Sequence, residues 1–129
     1  MSDPIRVCIA EDNEAMRVLL GIQLDEIGDV KVVANASDGD SLLEACREHR
    51  PDAAILDMHL PGVLRGRALI DRMRADHPAV RLVAYTASRG GPDEAELKGL
   101  GVPHVVKGNL EGLLSAVRGE QDPSKPEPG

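Results

Sequence analysis

Short apolar runs alternate along this chain with longer stretches whose apolar residues recur at helical spacing. Ile5-Arg6-Val7-Cys8-Ile9-Ala10 predicts a first strand, broken off by the polar Glu11-Asp12-Asn13. A helix is expected from Asn13, which can cap its start, to Gly28, which can close its end. Met16, Leu19, Leu20, Leu24 and Ile27 are its periodic apolar positions. Val30 to Ala36 predicts a second strand, and Ser37-Asp38-Gly39 a turn. The second helix is expected over Asp40 to Arg50, with Leu42, Leu43 and Cys46 inward and Pro51 as the stop.

In the next run, Asp52-Ala53-Ala54-Ile55-Leu56-Asp57, nothing between the first and last residue carries charge, the apolar stretch ends abruptly at a carboxylate, and Pro61-Gly62 follows. That pattern predicts a strand buried on both faces of a sheet. Arg67 to Asp76 predicts a helix with Leu69, Ile70 and Met73 inward and Pro78 beyond it. Val80 to Thr86 predicts a fourth strand and Ser88 to Pro92 a loop. A helix over Pro92 to Leu100 has few apolar anchors and carries Gly99. Pro103 to Lys107 predicts a fifth strand, and Asn109 caps a last helix bearing Leu110, Leu113, Leu114 and Val117. Residues 1–118 therefore read as one domain. Residues 119–129, rich in proline and charge, read as a disordered tail or linker.

Strands alternating with helices imply an α/β fold, a parallel sheet with helices on both faces. Right-handed crossovers favour the doubly wound, flavodoxin-like order 2-1-3-4-5, which sets strand 1 beside strand 3 at the switch point. Ligands of such sheets bind just outside the carboxyl ends of the strands.

Composition narrows the possibilities. The chain has 129 residues, 42% of them hydrophobic, yet Trp and Phe are absent and Tyr85 is the sole aromatic. Its core must be aliphatic. A net charge of −7 with scattered Lys and Arg argues against direct nucleic-acid binding. No apolar run reaches membrane-spanning length and the N-terminus lacks a signal-peptide pattern, so a cytoplasmic location is expected, with no membrane partner. Cys8 and Cys46 fall in apolar segments and read as buried thiols rather than as a disulfide or a zinc site.

With this topology the carboxyl ends of strands 1, 3, 4 and 5 present Glu11 and Asp12, Asp57, Thr86 and Lys107. Converging carboxylates repel one another unless a cation joins them, and an all-oxygen ligand set suits Mg²⁺. Lys107 supplies a point charge and Thr86 a hydroxyl donor. Together they describe a site for a phosphoryl group on the Asp57 carboxylate: nucleophile, metal, cation and hydroxyl. Each part alone has a plainer explanation. Adjacent acids often form a solvated turn or a helix start, Thr86 suits any strand, and Lys107 could be an edge charge. Their conjunction at the strand ends is what outweighs those readings.

These residues resemble the response-regulator receiver domain of two-component signalling, over about Ile5 to Arg118. The marks are the acidic pair Glu11-Asp12, Asp57 after an apolar strand, Pro61 four residues on, Thr86-Ala87, and Lys107. The resemblance implies that Asp57 accepts a phosphoryl group from a histidine kinase or phosphotransfer protein. It also implies that Asp12 ligates Mg²⁺ directly and Glu11 through water, with Asp57 and the backbone carbonyl of His59 completing the protein ligands. Thr86 and Lys107 would bind the phosphoryl oxygens. Movement of Thr86 would bias the surface of helix 4, strand 5 and helix 5 toward a downstream effector, and a homodimer through that face is possible. The only catalysis implied is self-phosphorylation and autodephosphorylation, so the chain is not expected to be an enzyme.

Four departures from the family pattern fall more on the output side than at the phosphorylation site. The family usually has Pro after the strand-5 Lys, where Gly108 stands here, and His104 replaces the switch aromatic. The segment from Pro61 to Gly66 is one residue longer than usual, and the helix-4 region is short. His59 and Ser88 are expected to line the approach of water to a phosphoaspartate. His49 and His77, at helix ends, carry no expected chemistry. Two rivals remain. One is a receiver-like interaction module that works without phosphorylation. The other is an Asp-nucleophile phosphatase resembling haloacid-dehalogenase enzymes, which would need a second Asp where His59 stands. Flavin binding is set aside for want of a phosphate-cradling loop after strand 1 and of aromatics to stack the ring.

Overall fold

The computed structural model describes residues 3–87 and 91–120. Its elements, in order, are β1 (Ile5–Ala10), α1 (Glu14–Ile27), β2 (Val30–Ala36), α2 (Gly39–His49) and β3 (Ala53–Leu56). They continue with α3 (Gly66–Asp76), β4 (Arg81–Thr86), α4 (Gly91–Leu100), β5 (His104–Val106) and α5 (Leu110–Arg118). The strands form one sheet in the order β2-β1-β3-β4-β5, every pairing parallel. This is the expected flavodoxin-like order.

Period-two alternation divides the core between the two faces of the sheet. Cys8, Ala10, Ala54, Leu56, Leu82 and Ala84 pack with residues of α2, α3 and α4. Val7, Ile9, Ala53, Ile55, Val83 and Tyr85 pack with residues of α1 and α5. All four residues of β3 are buried, as an uninterrupted apolar run requires. Cys8 and Cys46 are free, buried thiols.

The register carries the functional consequence. Ala10 pairs with Leu56, Leu56 with Ala84, and Thr86 with Val106. The strands therefore finish nearly level, and the residues after them gather along one edge.

The starts of α1, α2 and α5 are set by side-chain hydrogen bonds. The Asn13 side chain accepts from the Met16 N–H at 2.9 Å, and Gly28 closes α1 at φ 91°. Asp38 accepts from the Ser41 N–H at 2.8 Å while the Ser41 hydroxyl accepts from the Asp38 N–H, so α2 starts at Gly39, a residue earlier than expected. Gly39 is needed for space. A Cβ there would stand 2.1 Å from the Leu64 carbonyl oxygen. The loop after β3 thus packs against the start of α2. Similarly, α3 starts at Gly66 rather than Arg67, β4 starts at Arg81 rather than Val80, and β5 is shorter than the run Pro103–Lys107.

The apolar spacing of α1 overstates its buried face. Leu20 and Leu24 are buried, whereas Leu19 and Ile27 are 49% and 41% exposed. Leu19 lies roughly a third of a turn away from the Leu20–Leu24 stripe, and Ile27 is the last residue before the Gly28 cap. The sparse α4 does form, and Leu97 is its fully buried anchor. Asp93 and Glu94 in its first turn suit the helix dipole. Ser88 and residues 121–129 of the expected tail lie outside the described residues. Among the described residues no helix is long and apolar enough to cross a membrane.

Candidate functional site

The last rungs of the sheet hold the site. The Glu11 N–H donates to the Ala36 carbonyl at 3.0 Å, Asp57 N–H to Ala10 at 3.1 Å, and Lys107 N–H to Thr86 at 2.6 Å. Each functional residue therefore extends a strand by one backbone bond, which fixes where its side chain begins. Glu11, Asp57 and Thr86 are the buried polar or charged residues of the described chain, whereas Asp12 is exposed.

Glu11, Asp12 and Asp57 bring one carboxylate oxygen each to within 4.8 Å of the others. The Lys107 ammonium lies 2.6 Å from Glu11 Oε1 and 2.9 Å from Asp57 Oδ2. Burial works to lower the lysine pKa, but its hydrogen bonds to Glu11 and Asp57 outweigh this and hold it above its ordinary value. Lys107 is thus a fixed positive charge. One ammonium does not balance three carboxylates, and every remaining donor is oxygen. That set suits a hard divalent cation such as Mg²⁺, which Glu11, Asp12 and Asp57 could hold.

The free oxygens are also restrained. Asp57 Oδ1 accepts from the His59 N–H at 2.9 Å, and Glu11 Oε2 from the Asn13 N–H at 3.1 Å. Arg17 Nη1 donates to the Glu11 carbonyl at 2.7 Å. Behind Asp57 and Glu11, a cavity of about 10 Å³ is bounded by Met16, Leu20 and Tyr85, among others.

A second cluster forms the rim. The Thr86 hydroxyl is hydrogen-bonded to His104 Nε2, whose ring is nearly buried and presents Nδ1 at 3.8 Å from Glu94 Oε1 of α4. The His59 ring points outward, 72% exposed, with Nε2 2.7 Å from Asp93 Oδ2. It stands apart from the carboxylate cluster. Two histidines, one after β3 and one on β5, thus meet consecutive acids of α4.

Of the expected residues, Glu11, Asp12, Asp57 and Lys107 converge directly, and Thr86 stands at the next strand end, engaged with His104. Sequence reasoning missed Asn13 and Arg17 as supports of Glu11, Asp93 and Glu94 as partners of the histidines, and Tyr85. The Tyr85 hydroxyl accepts from the Gly108 N–H at 2.9 Å. Only Tyr85 left a signal, as the single aromatic in the chain.

The family model described as the response regulator receiver domain matches residues 7–117. This chain belongs to that family. Response regulator GacA of Pseudomonas viridiflava is 28% identical over 116 residues, covering 88% of this chain and 54% of that protein. A protein-glutamate methylesterase/protein-glutamine glutaminase of Nitratidesulfovibrio vulgaris is 31% identical over 121 residues, covering 92% of this chain and 32% of that protein. The chain thus spans about half the length of GacA and less of the methylesterase. Among solved structures, the isolated receiver domain of RcsB from Salmonella enterica serovar Typhimurium, with the phosphomimetic BeF₃⁻, aligns with TM-score 0.82 at 20% identity. That alignment covers 97% of this chain and 95% of the other. A LuxR-family response regulator from Aurantimonas aligns with TM-score 0.81 at 21% identity, covering 92% and 89% of the two chains. At that identity the structural likeness speaks for the fold.

Proposed function

We propose that this receiver accepts a phosphoryl group on Asp57 from a phosphohistidine of a partner histidine kinase or phosphotransfer protein. The observation that carries the reading is the junction of Lys107 with both Glu11 and Asp57, beside a third carboxylate. A structural ion pair needs one acid. A lysine shared by two acids with a third in reach leaves room for a divalent cation, and cation and ammonium together would offset the charge of a phosphoryl group.

In the step itself an Asp57 oxygen forms a bond to phosphorus as the donor's N–P bond breaks. The electron pair leaves with the imidazole. The His59 N–H at Oδ1 and the Lys107 ammonium at Oδ2 fix the plane of the attacking carboxylate. Glu11, Asp12 and Asp57 would hold Mg²⁺, with the His59 carbonyl as a further ligand. When bound, the ion offsets charge on the phosphoryl oxygens. Lys107 meets one of those oxygens, and the Thr86 hydroxyl turns from His104 to another. That exchange loosens the path from Thr86 through His104 to Glu94 and biases the face of α4, β5 and α5, a population shift between two arrangements.

The output passes from that face to a downstream effector, or to a second copy of the chain. With a charge of −7 the domain itself does not read nucleic acid. A domain of residues 1–118 is in keeping with α5 ending at Arg118 and Gly119 capping it at φ 72°. In this reading the chain from 119 to 129 serves as tail or linker. The location is cytoplasmic.

Intact mass after incubation with a small-molecule phosphodonor tests the reading. The wild type gains one phosphoryl group only with Mg²⁺, and Asp57→Asn gains none. No gain by the wild type, from small donors or from candidate kinases, contradicts it.

A further inference from the structure

We propose that Tyr85 is a positioning residue for phosphoryl transfer, holding the Lys107–Gly108 turn and through it the ammonium over Asp57. This rests on Asp57 being the phosphoacceptor. Tyr85 is the only Phe, Tyr or Trp among 129 residues, and it stands at the end of β4, 6% exposed. Its ring belongs to the apolar layer shared with α1 and α5. Phenylalanine would fill that space equally well. What tyrosine adds is a hydroxyl, and that hydroxyl accepts the Gly108 N–H at 2.9 Å.

Gly108 needs the restraint. Its φ of +100° lies in the left-handed region, and a Cβ there would meet no atom within 4 Å, so conformation rather than space calls for glycine. A proline at this position would fix its own φ and present no N–H. Glycine leaves both the rotation free and a donor to be satisfied. Tyr85 answers both.

Lys107 is consequently held from two sides by consecutive residues of β4. Its own N–H donates to the Thr86 carbonyl at 2.6 Å, and the next amide is held by Tyr85. The lysine stem is long and flexible, so a fixed backbone is what lets one ammonium span Glu11 Oε1 and Asp57 Oδ2 at 2.6 and 2.9 Å. A turn free to rotate would let it drift, and small misplacements of a charge at a reacting group slow transfer steeply.

The test is a double-mutant cycle. Tyr85→Phe should slow phosphoryl uptake from a small donor by roughly tenfold. In a Lys107→Ala background the same change should have no further effect, because the residue acts through the lysine. Hydrogen exchange of the Gly108 amide, followed by NMR, should be slow in the wild type and faster in Tyr85→Phe, with or without phosphorylation. Equal slowing in both backgrounds would make Tyr85 a merely structural residue and overturn the proposal, as would unchanged exchange at Gly108. A wild type that takes up no phosphoryl group overturns the kinetic role together with the phosphoacceptor reading. The amide exchange still reports separately whether the phenol holds the turn.

Discussion

The carboxylate pocket and the rim beside it are built in different ways. Glu11, Asp57 and Lys107 each follow a strand and are set by a backbone bond of the sheet, so their geometry is inherited from the register. The rim is held by side chains: Thr86 on His104, His104 facing Glu94, His59 on Asp93. The two histidine–acid contacts reach the surface and are individually weak, while the Thr86–His104 bond lies beneath them. A pocket fixed by the sheet can keep its chemistry while a rim fixed by side chains rearranges, which is what a switch requires.

The sharpest way to separate the two is to loosen α4. Leu97 is its fully buried anchor, and Leu97→Ala should cost about 3 kcal/mol of stability, measured by denaturant unfolding. Binding of Mg²⁺ should change little, because α4 contributes no carboxylate to the cluster and meets it only through the exposed His59 ring. Equal loss of Mg²⁺ binding and stability would show that the two regions are one unit.

Lys107→Ala should raise Mg²⁺ affinity by roughly tenfold while slowing phosphoryl uptake, since the ammonium competes with the ion for Glu11 and Asp57. The sign of the pH effect follows from the raised lysine pKa. A group whose pKa is higher when folded stabilises the fold below its unfolded value and loses that contribution as the pH rises through the folded value. Wild-type stability should therefore fall above the ordinary lysine value of 10.5, and Lys107→Ala should lack that component. Tyrosine fluorescence from Tyr85 alone, in the wall of the pocket, offers a direct readout of the Mg²⁺ titration.

His104→Phe is the mildest change. It removes the ring nitrogen bound to Thr86, and affinity for a phosphoryl mimic should rise by about threefold, the scale of one net hydrogen bond. A fall in affinity would mean that His104 supports the bound state instead of opposing it.

The same division explains what could be read in advance. Strand ends are visible in a sequence as the points where apolar runs stop, so Glu11, Asp12, Asp57, Thr86 and Lys107 were legible, as was the sheet order. The supports were not. No pattern in the chain pairs Asp93 with His59 or Glu94 with His104, because such contacts depend on how α4 is set down on the sheet. The turn signal Ser37-Asp38-Gly39 hides a helix start, with Asp38 capping α2 and Gly39 already helical, because capping residues and turn residues are the same types. On α1, Leu19 and Ile27 kept the spacing of a core stripe without reaching the core, since periodicity marks a face but not how much of it is covered.

Whether the meeting strand ends make Asp57 a phosphoryl acceptor can be measured directly. Borohydride reduction after phosphorylation converts an acyl phosphate on aspartate to homoserine, which peptide mass spectrometry can place in the sequence. The expected result is homoserine at position 57 alone, dependent on Mg²⁺. Homoserine at another acidic residue, or phosphate that resists reduction and sits on a hydroxyl side chain, would contradict the account.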